Sequence, residues 1–407
     1  MRKPPKGSLR VLMLVENCAY PQDSRVRSEA QTLIDQGHTV SVICPRSNGQ
    51  PWYEEVNRVQ VCRFPCPSAT VSMLSYIIEF GWATWIVLLL VLWRWVREGL
   101  DVVHIHNPPD TLFVAALLPK LAGKRVIYDH HDLSAELYQA KNATPHRILV
   151  RVLRLLERCS CRVADRIIVP NESYRQHDME RNGVRFDRIW TVRNGPDLHR
   201  FPAELRPAST ADSAVKIGYI GYIARQDGID HLLHALSYLK NDLGLTNWSC
   251  VVIGPAEEPQ VLEQLIADLA LGNHVECTGY KPHAQALDLL GTVDIGVAPE
   301  PANSFNEKST MIKIMEYMAL AKPIIAYDLK EHRVTADEAA LYALPNDQHD
   351  MARKIAQLIQ NPELRARLGT IGRRRIEQNL SWKNSAQALV NCYNSLTQHP
   401  TAKHATP

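Results

Sequence analysis

Side chains able to do chemistry are concentrated in a few polar runs of this sequence, each placed directly after an apolar one. In the first half these runs are Glu16 to Arg25, His106-Asn107-Pro108-Pro109-Asp110 and Asp129-His130-His131-Asp132. Imidazole and carboxylate are ordinary ligands for zinc or iron, so His130, His131 and Asp132, with His104 and His106 upstream, invite a metal reading. Adjacent residues of an extended chain point to opposite sides, which argues against one ion taking both histidines. His131 is better read as a hydrogen-bond partner for a ligand hydroxyl, and His130 as a packing or capping residue. A purely structural histidine pair is the alternative.

In the second half, Lys216 to Ile220 runs into Gly221-Tyr222-Ile223-Ala224-Arg225-Gln226-Asp227-Gly228, a glycine-bearing loop that opens a helix. Backbone amides and a helix N-terminus attract anions, and the planar guanidinium of Arg225 suits a phosphate. A stronger signal lies in Asn306-Glu307-Lys308-Ser309-Thr310-Met311-Ile312-Lys313-Ile314-Met315-Glu316, ahead of Lys322-Pro323 and another apolar run. Ser309, Thr310 and free amides fall at a helix start, and Lys313 and Glu316 share one helix face. Lys313 can then meet phosphate charge while Glu316 accepts hydrogen bonds from a ribose diol. A solvated Lys and Glu pair would leave the anion-friendly run before it unexplained.

The elements that must position these residues read as alternating strands and helices. Leu9 to Val15, Thr39 to Cys44, Val59 to Phe64, Val102 to His106, Arg125 to Asp129, Arg166 to Val169 and Ile189 to Val192 read as buried strands, with helices such as Ser24 to Gln36, closed by Gly37, between them. Lys216 to Ile220, Ser249 to Ile253, Val275 to Cys277, Ile295 to Ala298 and Pro323 to Ala326 continue the style. This is an α/β chain with two doubly wound, Rossmann-like parallel sheets, whose ligands bind at the carboxyl ends of strands. The turn-rich stretch Asn194 to Ser213 separates an N-terminal domain, residues 1–200, from a C-terminal one, residues 208–380. A last amphipathic helix, residues 382–396, is expected to pack back on the first domain, and residues 397–407 to be disordered.

Bulk properties narrow the function. At 407 residues and 45% hydrophobic content, there is material for two domains of roughly 200 residues each. The nine cysteines lack zinc-site spacing and read as reduced thiols. A formal charge of +3, from 46 basic and 43 acidic residues, argues against a nucleic-acid partner. The start carries no secretory pattern, so a cytoplasmic location is expected. From Val71 to Trp95 the charge is limited to Glu79 and Arg94, and Trp82, Trp85, Trp93 and Trp95 flank an apolar run nearly long enough for a bilayer of about 30 Å. Because the strand at Val102 must join the same sheet as earlier strands, an interfacial helix from Val71 to Arg97 is expected, with Arg94 and Arg97 toward anionic lipid. Burial in the core, or a true span, are the alternatives.

Several ordered motifs together resemble the retaining, GT-B-fold glycosyltransferases of family four, and within them a bacterial subgroup linked to exopolysaccharide and surface-glycan assembly. They are Pro21-x-Asp23-x-Arg25-Val26-x-x-Glu29-Ala30, His106 to Asp110, Asp129 to Leu133 with Glu136, Val192 to Gly195, Gln226-Asp227-Gly228, Lys313 to Ala319, and Ser381-Trp382. The resemblance implies two domains facing across a cleft and a nucleotide-sugar donor held mainly by the C-terminal one. It places Glu316 on the ribose and Gly221, Tyr222, Arg225 and Lys313 on the diphosphate, with Lys308, Ser309, Thr310, Met311 and Ile312 completing the donor site. His131 falls near the transferred sugar, and His131 and Glu316 are the residues expected to act in catalysis. No cofactor or metal is expected, since positive side chains and helix dipoles hold the leaving diphosphate. The family's first glutamate of a spaced pair is Lys308 here, and Glu307 is one residue out of register. The usual glycine pair after the first strand is replaced by the Pro21 to Arg25 segment, making Asp23, Arg25, Asn107 and Asp110 candidates for acceptor contacts.

The activity expected is transfer, with retention, of a hexose or N-acetylhexosamine to a lipid-linked or oligosaccharide acceptor in cell-surface polysaccharide synthesis, peripheral to the inner face of the membrane. A nucleotide-sugar epimerase or phosphorylase of the same fold, or a catalytically weak membrane-bound partner in a glycan-assembly complex, are the competing readings.

Overall fold

The computed structural model describes residues 7–66, 73–201 and 214–397. The chain divides into two compact units: Met1–Tyr138, Thr144–Arg193 and Ser385–Pro407 form the first, and Gln139–Ala143 with Asn194–Asn384 form the second. The Pro202 to Ser213 part of the expected linker, and all of the expected tail after Thr397, lie outside the described residues.

The first unit holds β1 (Arg10–Leu14), β2 (Thr39–Pro45), β3 (Tyr53–Val56), β4 (Val59–Phe64), β5 (Val102–His106), β6 (Arg125–Asp129), β7 (Arg166–Val169) and β8 (Ile189–Thr191). They lie in the order β3-β4-β2-β1-β5-β6-β7-β8, and the pairings are parallel apart from β3 with β4. Its helices are α1 (Ser24–Asp35), α2 (Met73–Glu98), α3 (Phe113–Leu121), α4 (Ser134–Lys141), α5 (Arg147–Val163) and α6 (Glu172–Asn182). Right-handed crossovers put α1 on one face of the sheet and α2, α3 and α5 on the other, since β1 to β2 steps one way along the order and β4 to β5, β5 to β6 and β6 to β7 step back.

Helix α2 packs on its unit through Ala83, Val87, Val91 and Arg94, a helical spacing, and leaves Trp82, Trp85, Leu89, Trp93 and Val96 exposed. Arg94 corrects one expectation. Instead of facing lipid it turns inward, where it donates to Ser41 Oγ at 2.5 Å and Gln60 Oε1 at 2.7 Å and pairs with Glu98 at 2.7 Å. A buried guanidinium needs partners of this kind, and the polar ends of β2 and β4 provide them. Arg97 does stay outside, over the ring of Trp93 at 5.2 Å.

The second unit holds β9 (Val215–Ile220), β10 (Trp248–Ile253), β11 (Val275–Cys277), β12 (Ile295–Ala298), β13 (Ile324–Tyr327) and β14 (Ala340–Ala343), all parallel in the order β11-β10-β9-β12-β13-β14. Its helices are α7 (Ile229–Asn241), α8 (Pro259–Asp268), α9 (His283–Gly291), α10 (Ile312–Ala319), α11 (Lys330–Ala336), α12 (Gln348–Gln360) and α13 (Pro362–Arg375). Successive residues of β10 feed opposite cores, Cys250 and Val252 one and Val251 and Ile253 the other, so the strand is apolar at nearly every position. Both sheets are thus doubly wound, as the alternation of apolar runs implies.

A last helix, α14 (Trp382–Thr397), starts in the second unit, where Trp382 N donates to Pro196 O at 3.0 Å. Its later turns belong to the first unit. There the Tyr393 hydroxyl meets His104 Nδ1 at 2.9 Å, and Arg166 donates to Ser395 O at 3.0 Å.

Candidate active site

In the first unit the polar runs sit at the carboxyl ends of β1, β5 and β6. Asp23 caps α1, accepting from Arg25 N at 2.9 Å and Val26 N at 3.0 Å. That start aims the Arg25 side chain inward, where its two nitrogens grip Asp129 at 2.9 and 2.7 Å, and a third contact reaches Val192 O at 2.7 Å. Glu29, one turn along α1, lies 3.2 Å from the same guanidinium. Burial works against an ionised Asp129, but Arg25 and His131 outweigh it and hold its carboxyl well below the usual range. Burial and the neighbouring Asp129 charge push Glu29 the other way, so that it keeps its proton.

Asn107 ties two loops together. Its Nδ2 donates to Asp110 Oδ1 at 3.1 Å and Asp132 O at 2.7 Å, and its Oδ1 accepts from His131 N at 2.5 Å and Asp132 N at 3.2 Å. Asp110 also accepts from Tyr128 and from Ser134 Oγ, the latter at 2.7 Å. Arg25, Asn107 and Asp110, three of the candidates for acceptor contacts, are buried and bonded within the loops. Asp23, half-buried, serves the helix start.

His131 is the residue these fixtures present. Its Nε2 lies 2.8 Å from Asp129 Oδ2 and 3.2 Å from His106 Nδ1. The other ring nitrogen, Nδ1, has no partner among the described residues, and the side chain keeps 12% exposure. The ring is thus held by one edge and offers the other to a ligand. The ligand atoms of Glu29, His104, His106 and Asp129 lie within 4.8 Å of one another, a grouping with metal-ligand chemistry. Arg25 already brings a cation to both carboxylates, so charge balance there is met by the protein itself.

His130 points away from His131, as residues on an extended stretch do, into a buried cluster with Asp178 at 3.1 Å. Burial alone would strip its proton, but Asp178, Glu157 and Asp110 carry its pKa up to about 10. Burial opposes the Glu157 charge as well, yet the His177 hydrogen bond and the His130 charge hold Glu157 down at about 2. After β1, burial together with Glu79 pushes Glu16 up to about 7.

In the second unit the ends of β9, β10 and β11 finish in glycines at positive φ: Gly221 at 148°, Gly254 at 135° and Gly279 at 63°. A Cβ on Gly254 would come within 1.9 Å of Gly221 O, so only glycine lets these turns stack. A Cβ on Gly221 would meet Lys313 Nζ at 3.3 Å, which places that amine directly beneath the first turn. Lys313 is buried, bonded to Glu300 and to the Tyr219 hydroxyl at 3.0 Å. Burial disfavours its charge, but Glu300, Tyr219 and Asp227 keep it protonated. Arg225 is exposed, with no hydrogen bond or ion pair among the described residues, and Tyr222 beside it is exposed too.

Helix α10 begins at Ile312 after Met311 with no side-chain cap; Ile314 N bonds Met311 O at 3.2 Å, and the Ile312 and Lys313 amides have no bond among the described residues, so they can meet a ligand. The loop before it is fixed by Asn306, which donates to Gln226 O at 2.9 Å and Pro301 O at 2.8 Å. Ser309 Oγ donates to Phe305 O at 2.9 Å and Thr310 Oγ1 to Glu331 Oε2 at 3.4 Å, so both hydroxyls brace the loop. Lys308 is half-buried there. Glu307, beside it, accepts through Oε2 from Lys330 N at 3.1 Å. Glu316, one turn into α10, has its Oε1 3.1 Å from Nε2 of His283, the first residue of α9.

A family model described as "Glycosyl transferase 4-like domain" matches residues 22–195, and one described as "Glycosyl transferases group 1" matches residues 203–375. The chain belongs to the family-four glycosyltransferases. The D-inositol 3-phosphate glycosyltransferase of Saccharomonospora viridis is 27% identical to it over 247 residues, 56% of this chain and 55% of that one, so this glycosyltransferase spans about half the length of that relative. The phosphatidyl-myo-inositol mannosyltransferase of Mycolicibacterium smegmatis is 27% identical over 371 residues, 86% of this chain and 85% of that one. Anabaena Alr3699/HepE, solved in complex with UDP-glucose, aligns over 95% of this chain and 100% of that one at a TM-score of 0.71 and 15% identity, a likeness of GT-B fold.

Three residues of the glycosyltransferase were not singled out from sequence: Glu300, Tyr219 and His283. Glu300 directly follows β12 and its Pro-Glu-Pro setting, so the rule that drew attention to other strand ends applies to it as well.

The buried His130 cluster gives the glycosyltransferase a pH signature. An unfolded histidine releases its proton near pH 6.5, so this stabilisation is complete below about 6.5 and fades as pH rises toward the folded value. Glu157 acts in reverse, complete above about 4.3 and fading as pH falls. Melting temperature is expected to be highest between those limits and to decline toward pH 9.5, with the alkaline decline flattened in His130→Gln. An equally steep decline in the variant would show that His130 is not the titrating group.

Proposed function

We propose that this glycosyltransferase moves a sugar, with retention, from a nucleoside-diphosphate sugar to a lipid-linked or growing glycan in cell-surface polysaccharide synthesis, working at the cytoplasmic face of the membrane. The observation that carries the reading is in the second unit: glycine turns after β9 and β10 stack on each other with the buried, protonated Lys313 beneath the first, Arg225 in the same loop after β9 has no hydrogen bond or ion pair among the described residues, and Glu316 lies on the same helix as Lys313, whose start has no side-chain cap. Such a set suits a diphosphate next to a ribose, and the HepE complex with UDP-glucose supports a donor of that class. A relative named for phosphatidyl-myo-inositol supports an acceptor on a lipid.

In this reading the bond between the sugar's anomeric carbon and the diphosphate oxygen breaks as the acceptor oxygen bonds to the same carbon from the same face. The acceptor's proton passes to the departing diphosphate oxygen. Arg225, Lys313 and the α10 amides stabilise the charge that develops there, the main catalytic contribution. Glu316 accepts from the ribose diol, and Nδ1 of His131 hydrogen-bonds the transferred sugar. Fixed protein cations do the work a metal would do elsewhere, so chelators leave turnover unchanged.

The test is release of nucleoside diphosphate from a panel of nucleotide sugars, with Glu316→Ala and Arg225→Ala beside the parent. Both are expected to fall by about 10²-fold or more on the preferred donor. Parent-like rates in both variants would remove the donor site from α10. Peripheral attachment is assigned to α2, a helix apolar enough to cross a membrane by length and composition but seated on the first unit along one face. Its exposed tryptophans suit the headgroup level.

A further inference from the structure

Helix α5 has a one-sided charge distribution. Arg147, Arg151, Arg154, Arg158 and Arg162 are all exposed, whereas its one acid, Glu157, is fully buried against His177 and Asn182. Between these arginines the same outer side shows Ile148, Val152 and Leu155, exposed at 63%, 43% and 57%. A solvated helix mixes acids with bases on its outer side and turns its large aliphatics inward, whereas α5 shows no acid outside and, besides its inward Val150, leaves three large aliphatics exposed. Arg154 lies 3.5 Å from Glu136 and Arg158 donates to Arg181 O at 3.0 Å. Arg147, Arg151 and Arg162 have no hydrogen bond or ion pair among the described residues. Helix α3 packs against both α2 and α5, and it adds exposed Leu117, Leu118 and Leu121 between them.

We infer that α2, α3 and α5 form one docking surface for an anionic bilayer, with α5 binding acidic headgroups and α2 inserting its aromatic side chains. The inference rests on the peripheral attachment proposed above and extends it, because lipid charge becomes a requirement. Arginines interleaved with aliphatics on one outward face are what an interfacial helix presents to acidic headgroups. A phosphate-tracking groove for nucleic acid would not hold Ile148 and Leu155 open between its cations.

Flotation of the full chain with phosphatidylcholine vesicles, with and without phosphatidylglycerol, tests this. Binding is expected on the anionic vesicles, reduced by salt, and weak on the neutral ones. Arg147→Ser with Arg151→Ser is expected to weaken partition about 25-fold, at about 5-fold per arginine near the surface. The same variant keeps parent-like release of nucleoside diphosphate, since neither residue belongs to the candidate active site. Equal flotation on both vesicles, or unchanged partition of the arginine variant, would overturn the role of α5 while leaving attachment through α2 standing. Undiminished flotation of Trp85→Glu with Leu89→Glu would remove α2 from the surface and overturn the three-helix proposal, even with α5 still binding. Retention on a DNA duplex but not on vesicles would overturn it in favour of a polyanion site.

Discussion

Arg25→Met is expected to destabilise the first unit by about 3–5 kcal/mol, the usual cost of leaving a buried charge without its partner. The reason is specific to what the guanidinium touches. Asp129 is ionised and Glu29 adjacent, both without solvent exposure, and Arg25 is the one Lys or Arg side chain paired with them among the described residues. For a unit of this size the fall in melting temperature is about 6–20 °C. His131 should lose its footing as well, because the carboxylate that steadies Nε2 is itself held by Arg25. Thermal denaturation followed by circular dichroism is the check, and a melting point within a degree of the parent would mean that Asp129 is neutralised some other way.

Lys313→Met should produce the other large effect, and on two quantities at once. Loss of a cation facing the departing diphosphate predicts a drop in kcat of about 10²–10³-fold. Loss of the partner of Glu300 predicts a stability penalty of about 3–5 kcal/mol. The two are separable by adding Glu300→Gln. The double variant removes the stranded carboxylate, so it should regain most of the lost stability while staying as slow as the single one. Turnover that returns along with stability would show that Lys313 supports Glu300 and never meets the donor.

The strand pattern was largely legible because both sheets are parallel and covered on each face. Ile295–Ala298 is a run without a polar side chain, Val59–Phe64, Val102–His106 and Arg125–Asp129 keep β-branched or aromatic residues around their few polar ones, and each of the four forms a strand over those bounds. Tyr53–Val56 escaped notice since it is an edge strand, antiparallel, with Glu54 and Glu55 at its centre. Ala340–Ala343 escaped because Ala-Leu-Tyr-Ala carries little preference of its own and becomes a strand by pairing with β13. The polar loops were legible by their place after strands. The direction of their side chains was not, since Arg25 finds Asp129 104 residues away and no local pattern announces such a partner. Arg94 was misplaced for the same reason: its polar neighbours come from β2 and β4, and helix periodicity alone says only that one face is buried.

Helix α14 has a consequence for how the molecule is made. Tyr393 completes the setting of His104, a residue 289 positions earlier in the chain. The half that leaves the ribosome first therefore waits for α14, the last helix among the described residues, to complete the setting of His104, while the half synthesised in between already has its strands and the helices from α7 to α13. Biogenesis inverts the order of translation: the middle of the polypeptide can mature ahead of the beginning, and a chaperone guarding nascent chains would find its target on the early half.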